Sequence, residues 1–353
     1  MSIGIDIGRY EIKAVQLNKS PKGYQLVNYG SEPVYDQSKD FDPERLSEEK
    51  VIEACKQLMA KMKINPKRVR TLTSGLSNQL SSIRQLKMVN TDDEEELKQS
   101  LQFEARKHIP MDGTDALMDF QILGEDVREM DKLNVLLVAS TQRNLNNHLK
   151  LLRNMNFRPG IVDSEAIGLA NSYVIEHGLP EDGANVFLNI GAVSSVLVVW
   201  GRQAQFFARD IQIGGLHFTR EIMEKKEIGY KEADDFKRSP AFTDLVDKLA
   251  GSATGDFSVS VAEHTIYDNL VDEIRRSLRY YIKEANESFF QKIMVMGGSA
   301  GINGLSDFIS NRLNVAAEIY NPFAQLHHDV MEDGETSTKY ATAIGYAMRG
   351  LLE

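Results

Sequence analysis

The run Ile3-Gly4-Ile5-Asp6-Ile7-Gly8 ends in a carboxylate and a glycine, and Lys13 follows five residues after Gly8. A strand that stops at an aspartate and turns on glycine exposes backbone N–H groups that no side chain covers. Such a turn can hold a phosphate and a hydrated Mg2+, with Lys13 reaching back from the next strand. Arg9 and Tyr10 occupy the turn itself. A weaker copy, Phe187-Leu188-Asn189-Ile190-Gly191-Ala192, returns mid-chain and leads into Ser195. A third glycine turn, Gly297-Gly298-Ser299-Ala300-Gly301, follows the apolar run ending at Met296. Two hairpin turns facing each other across a cleft, with a third turn beside them, can cradle a nucleotide. One such motif is weak evidence, because short motifs recur by chance; the repetition carries the weight.

The elements that must position these turns are legible as patterns. Ile3, Ile5 and Ile7 alternate, a second strand carries Ile12, Ala14 and Val15, and Ser20-Pro21-Lys22-Gly23 turns into a third at Tyr24–Val27. Asp42-Pro43 reads as a helix cap with proline at the first helical position, and Val51, Cys55, Leu58, Met59 and Met62 form one apolar face. A further strand is expected over 69–76. From residue 79 a compact α+β insertion begins. Its helix starts at a capping box, Thr91-Asp92-Asp93-Glu94, and ends before Ile109-Pro110. Strands near 118–123 and 134–139 and a helix to about 156 complete it. The second half repeats the three-strand opening at 186–190, 195–200 and 204–210, with Gly214-Gly215 before a helix. Ile266, Leu270, Ile274, Leu278 and Ile282 step by four along a long helix and predict one buried stripe. A strand at 293–296, a helix at 302–313 and a last helix from about Thr338 close the chain. Parallel openings of the two halves predict a duplicated fold rather than a plain βαβ succession.

Composition excludes several classes. The chain has 353 residues, 42% of them hydrophobic, with a net charge of −10. The acidic balance argues against nucleic acid, which needs a basic face. No apolar run approaches the roughly 20 residues of a membrane span. The single cysteine, Cys55, suits a reducing compartment, and no leader-like segment precedes the first strand, so a cytosolic location is expected.

Taken together, the motifs resemble the actin-like ATPase superfamily and, within it, the PilM family of type IV pilus assembly proteins. The resemblance spans nearly the whole chain. Its most specific stretches are Glu104–Pro110, Asp119–Gly124, Val135–Ala139, Gly214–Ile222 and Asn321-Pro322-Phe323. The resemblance implies a duplicated actin-like (ribonuclease H-like) α/β fold with an FtsA-type α+β insertion in the first half. The implied subdomains are 1–78 with 160–183, the insertion 79–159, 184–228 with 291–353, and 229–290. It further implies that Asp6, Gly8 and Lys13 form the first phosphate hairpin, beside Arg9 and Tyr10. Asn189, Gly191, Ala192 and Ser195 would form the second. Gly297, Gly298, Ser299 and Gly301 would pack on the adenosine, with Gly214, Gly215 and Glu221 near the ribose or adenine. Asp163-Ser164-Glu165-Ala166 would sit beneath the cleft. The implied cofactors are ATP and Mg2+, the latter held by Asp6, through water or directly. The implied partner is the N-terminal cytoplasmic peptide of PilN, an inner-membrane protein, in a groove between the first-half core and the insertion.

The chain departs from the family at two places. Asn189 stands where an aspartate is usual, and Arg9-Tyr10 replaces two small residues. An amide binds Mg2+ less well than a carboxylate, so slow or absent hydrolysis is expected. The alternative is a scaffold with a degenerate cleft. Rival chemistries are weaker. Gly297-Gly298-Ser299-Ala300-Gly301 fits G-x-S-x-G, with His327, His328 and Asp329 downstream, but too little chain follows to build a hydrolase sheet. A small-molecule kinase would need an aspartate base that no motif supplies.

Overall fold

The computed structural model describes residues 1–90, 94–108, 116–126, 129, 131–242, 265–285, 287–327 and 334–352. The capping residues Thr91–Asp93, Ile109-Pro110, His328-Asp329 and the 243–264 part of the last subdomain lie outside the described residues.

Two five-stranded sheets share one topology. The first has the order β3-β2-β1-β4-β8, from β1 (Ser2–Ile7), β2 (Glu11–Ser20), β3 (Gly23–Pro33), β4 (Leu72–Leu76) and β8 (Ile161–Ser164). The second has the order β11-β10-β9-β12-β13, from β9 (Ala184–Ile190), β10 (Ser195–Trp200), β11 (Phe207–Ile211), β12 (Phe290–Met296) and β13 (Ala317–Ile319). In each, three antiparallel strands continue into two parallel ones. The register makes the duplication concrete. Asp6 pairs with Lys13 across the first hairpin, and Asn189 pairs with Val196 across the second. The second hairpin therefore repeats the geometry of the first without its lysine.

Helices cover the sheets. Helix α1 (Glu48–Lys61) buries Ala54, Cys55, Leu58 and Met59 against the first sheet. Asp42 caps a short 3-10 turn at Pro43–Arg45, and a separate residue, Ser47, caps α1. The Asp-Pro signal thus marks a turn before the helix rather than its start. The insertion is a three-stranded antiparallel sheet, order β5-β7-β6, from β5 (Ser81–Val89), β6 (Ala116–Glu125) and β7 (Lys132–Thr141). Two helices go with it, α2 (Glu94–His108) and α3 (Gln142–Asn154). Helix α4 (Glu165–His177) runs between the halves, α5 (Gly215–Lys226) and α6 (Tyr230–Phe236) follow the second hairpin, and α7 (Ile266–Ala285) crosses behind. α8 (Leu305–Leu313) and α9 (Ala341–Arg349) complete the chain.

The expected stripe on α7 drifts. Leu270, Ile274 and Leu278 are buried, but Ile282 is 37% exposed while Tyr281 is 1% exposed. A step of four residues overshoots one turn by about 40°, so four steps carry Ile282 about 160° from Ile266. Tyr281 takes the buried place and donates its hydroxyl to the Gln205 carbonyl at 3.0 Å.

The helices α4 and α9 meet on glycine. Gly168 of α4 and Gly345 of α9 leave no room for a side chain between them: a Cβ on Gly345 would lie 1.8 Å from the Gly168 carbonyl oxygen. Beside this contact, Tyr346 runs through a slot formed by Gly75 and Gly168, where added Cβ atoms would lie 1.9 Å from its hydroxyl oxygen and 2.2 Å from its ring. Only glycine permits such approach. The slot brings the Tyr346 side chain to the floor of the cleft.

Candidate functional site

A cavity of about 430 Å³ opens between the two halves. The first hairpin supplies one wall. There the Lys13 ammonium lies 3.0 Å from Asp6 Oδ2, with the two side chains only 12% and 22% exposed. Gly8 makes this possible, since a Cβ there would sit 3.2 Å from Lys13 Nζ and 2.7 Å from the Glu11 carbonyl oxygen. Burial alone would lower the lysine pKa. The Asp6 and Glu11 carboxylates outweigh it and hold Lys13 above its ordinary value. Glu11 in turn pairs with Lys339 at 3.1 Å, so a first-half strand is tied to the segment before α9. Burial works against the charged Glu11, but Lys13 and Lys339 hold its pKa below the usual range.

The bulky pair at the first turn is drawn aside. Arg9 donates to the Pro43 carbonyl at 3.5 Å, and Tyr10 accepts from the Tyr35 hydroxyl at 2.8 Å while packing edge-on to Phe41. Both still line the cavity rim.

The second hairpin is laced from two sides. The Gly215 and Leu216 N–H groups at the start of α5 donate to the Gly191 and Ala192 carbonyls at 2.9 and 2.8 Å. Ser299 donates its N–H to Ile190 O and its hydroxyl to Gly191 O at 3.0 and 3.1 Å. Gly297, at φ +97°, turns against this hairpin, and a Cβ there would lie 2.4 Å from Asn189 Oδ1. The third turn is thereby locked to the second. The Ser299 hydroxyl is spent on a backbone carbonyl and His327 pairs with Lys22 O, an arrangement that gives no support to the serine-hydrolase alternative.

Asp6, Gly8, Arg9, Tyr10 and Lys13 face the cavity from the first hairpin, as do Asn189, Gly191 and Ala192 from the second. Gly215 and the third-turn residues Gly297, Gly298, Ser299 and Gly301 also line it. Ser195, Gly214 and Glu221 do not. Ser195 is buried and donates to Ile213 O at 2.6 Å. Gly214 packs behind the second hairpin, where a Cβ would meet the Ser194 nitrogen at 2.7 Å. Glu221 turns away to accept the Ile266 N–H at 2.7 Å, capping α7, and pairs with Lys225.

Several cavity residues carried no sequence signal of their own. Tyr230, Asp234, Lys237 and Arg238 come from α6 and its end. Lys237 is 4% exposed and is held by Asp234, Thr219 and the Gly215 carbonyl. Burial lowers its pKa against the pull of Asp234. Asp210 reaches the cavity from β11, and burial raises its pKa.

Glu165, at the first turn of α4, lies on the cavity floor, where Asn189 Nδ2 donates to its Oε1 at 3.4 Å. Its carboxyl is pushed up to about 8, first by burial and then by Asp6 and Asp210, while Lys13 and the Asn189 amide pull it down. An aspartate at 189 would set two carboxylates side by side; the amide avoids this. The folded chain binds this proton more tightly than the unfolded chain. Its contribution is therefore full below about pH 4.5 and is lost as pH rises through about 8. Glu165→Gln should melt like the wild type near pH 5. Near pH 8.5 it should be more stable by roughly 1–3 kcal/mol, discounted for the open side of the cleft. Thermal melts across pH test this, and an undiminished slope between about pH 6 and 8.5 would reject it. Asp163, pushed up to about 6 by burial, leaves a residual slope at lower pH in both proteins.

Residues 4–351 match the family of the Type IV pilus assembly protein PilM. The chain belongs to the PilM family. A solved PilM-PilN type IV pilus biogenesis complex superposes with a TM-score of 0.77 at 22% identity, over 99% of this chain and 98% of that one. The ethanolamine utilization protein EutJ from Carboxydothermus hydrogenoformans superposes with a TM-score of 0.52 at 12% identity, over 98% and 89%. At these identities the likeness is one of fold. The fold of this PilM-family chain is the duplicated actin-like one, with an α+β insertion in its first half.

Proposed function

We propose that this PilM-family chain is a cytoplasmic adaptor of an inner-membrane pilus assembly complex. It binds ATP with Mg2+ in the cleft and a PilN-like N-terminal peptide between the first-half core and the insertion. The observation that carries the first part is the convergence of the Asp6–Lys13 pair, both hairpins and the third glycine turn on one cavity. The donor chemistry fits. Among the described residues no three His, Cys, Asp or Glu side chains gather into a metal cage. A Mg2+ ion held there would rely on phosphate oxygens, water and Asp6, which is how this ion is usually bound. Bound Mg2+ supplies charge neutralisation of the phosphates. Lys13 adds a fixed cation and the glycine turns admit the phosphates closely.

The partner follows from the PilM-PilN likeness. The insertion offers an edge strand, β6, with exposed Leu117, Ile122 and Leu123. An extended peptide is held by backbone bonds and alternating side-chain pockets, and this chemistry suits one. Among the described residues no helix is long and apolar enough to cross a membrane, so a membrane-anchored partner would bring the chain to the bilayer. The Asn189 amide and the neutral-leaning Glu165 support binding without fast turnover. The second reading, a scaffold whose cleft no longer binds, draws on the bulky Arg9-Tyr10 turn.

The test is the fate of trace labelled ATP mixed with Mg2+ and excess protein, with bound nucleotide identified chromatographically over hours. Intact bound ATP is expected. Asp6→Ala should retain less than about a tenth of it, because it removes the Mg2+ ligand and releases Lys13. Equal retention by the variant would mean contamination or another site. No retention by either protein, with no thermal shift in saturating Mg-ATP, would leave the scaffold reading standing.

A further inference from the structure

The insertion stands on both halves. Its first foot is α3. Leu152 packs into the first-half core beside α1, His148 Nε2 lies 2.8 Å from Ser74 Oγ of β4, and Asn154 donates to Glu48 at 3.0 Å. Its second foot is β5. There the Gln85 side-chain oxygen accepts the Phe206 N–H at 2.7 Å, and the Gln205 side chain donates to the Gln85 carbonyl at 3.1 Å. Phe206 is 4% exposed, stacks edge-on to Trp200 at 5.3 Å, and shares a buried cluster with Ile83 and Leu136 of the insertion. The two feet are strapped together at Leu80, whose carbonyl accepts from Ser140 of β7 and Asn144 of α3 at 2.6 and 3.2 Å.

This anchoring has a mechanical consequence. The cleft lies between the halves, so any rotation of one half against the other moves one foot of the insertion relative to the other. Apolar contacts such as Ile83 and Leu136 on Phe206 can slide, because dispersion is non-directional. Gln85 cannot, since its side-chain oxygen grips the Phe206 backbone N–H while its own carbonyl accepts from the Gln205 side chain. We propose that Gln85 is a positioning residue that couples the nucleotide cleft to the peptide groove of the insertion. The inference rests on the adaptor reading above and names how its two sites communicate. Closure on a nucleoside triphosphate carries β11 and the preceding loop, Gln85 transmits that displacement to the insertion sheet, and the groove against the first half changes shape.

The test measures the affinity of a synthetic N-terminal PilN peptide for the full chain, with and without saturating Mg-ATP. Wild type should bind the peptide about tenfold more tightly with ATP, a typical coupling between two sites. Gln85→Leu should keep its ATP affinity and its nucleotide-free peptide affinity, while the ATP effect falls to within about twofold. Gln85→Glu retains the acceptor oxygen for the Phe206 N–H and should keep most of the effect, a rescue that a purely structural role would not produce. Should Gln85→Leu fold poorly, Gln205→Ala removes the second bond from an exposed side chain and should weaken the effect. An undiminished ATP effect in both Gln85→Leu and Gln205→Ala would overturn the inference and leave the adaptor reading intact. Wild type that binds ATP and peptide independently would overturn it as well. Wild type that binds neither would instead defeat the adaptor reading itself.

Discussion

Gly345→Val should abolish cooperative folding. Helix α9 is buried along almost its whole length, from Ala341 to Met348. A Cβ at 345 would lie 1.8 Å from the Gly168 carbonyl oxygen and 3.0 Å from the Ser172 nitrogen. These are backbone atoms in the middle of a helix, so no rotamer change relieves the clash. The helices α4 and α9 must separate, and opening their seam disturbs two core clusters at once, one holding Leu169 and Ala170 and the other Ile344 and Ala347. Overpacking against flexible side chains costs about 1–3 kcal/mol, and forced separation adds the loss of packed apolar contacts. A total of roughly 4–6 kcal/mol is comparable to the whole net stability of a typical domain. Gly229→Ala is the control. Nothing lies within 4 Å of a Cβ there, and the cost should stay below about 1 kcal/mol, the difference between glycine and alanine at a helix cap. Circular dichroism melts of both variants decide the matter. A Gly345→Val protein melting within a few degrees of wild type would show that the seam is not tight.

The same seam shows where the sequence stopped being readable. The strand–turn pairs were legible because period-two alternation of Ile3, Ile5 and Ile7, then a glycine, is a local pattern. The repeat at 187–192 made the duplication legible, and the register confirms equivalent places for Asp6 and Asn189. The slot formed by Gly75, Gly168 and Tyr346 was not legible. Its three members lie far apart in sequence, and nothing local separates such a glycine from one in a turn. Tyr230, Asp234 and Lys237 were hidden for a related reason. They form an ordinary charged helix face, and only the placing of α6 beside the third turn brings them to the cavity. Glu221 shows the reverse. The family resemblance implied a place near the ribose or adenine, yet helical geometry carries it about two turns along α5, where the α7 amino terminus needs an acceptor. Tyr10 stands where the family has a small residue, and the aromatic group of Tyr35 and Phe41 gives its ring a place to pack.

Lys13→Met should weaken ATP binding by at least about 100-fold. The cavity is lined by acids: Asp6, Glu11 and Asp210, together with Glu165, which holds its proton near neutral pH. A polyphosphate entering such a site meets like charge unless a cation stands among the carboxylates. Lys13 is that cation, 3.0 Å from Asp6 and close enough to Glu11 and Glu165 to shift under their fields. Lys339 is committed to Glu11 and Ser31, and Lys237 to Asp234 and Thr219. Methionine keeps the length and apolar stem of lysine, so packing on β2 survives and the charge alone is removed. Loss of a charge-assisted contact in a partly desolvated site costs about 2–5 kcal/mol, and a factor of 100 corresponds to about 2.7 kcal/mol. Lys13→Arg should recover only part of the loss. The guanidinium keeps the charge, but the gap beside Gly8 fits a compact ammonium, not a planar fork. Titration of a fluorescent ATP analogue, alongside melts without nucleotide, separates lost binding from lost folding. A Lys13→Met protein that melts like wild type and still binds Mg-ATP within threefold would place the phosphates away from the first hairpin. The assignment of Asp6 to Mg2+ would fall with that result, because the two side chains share one wall.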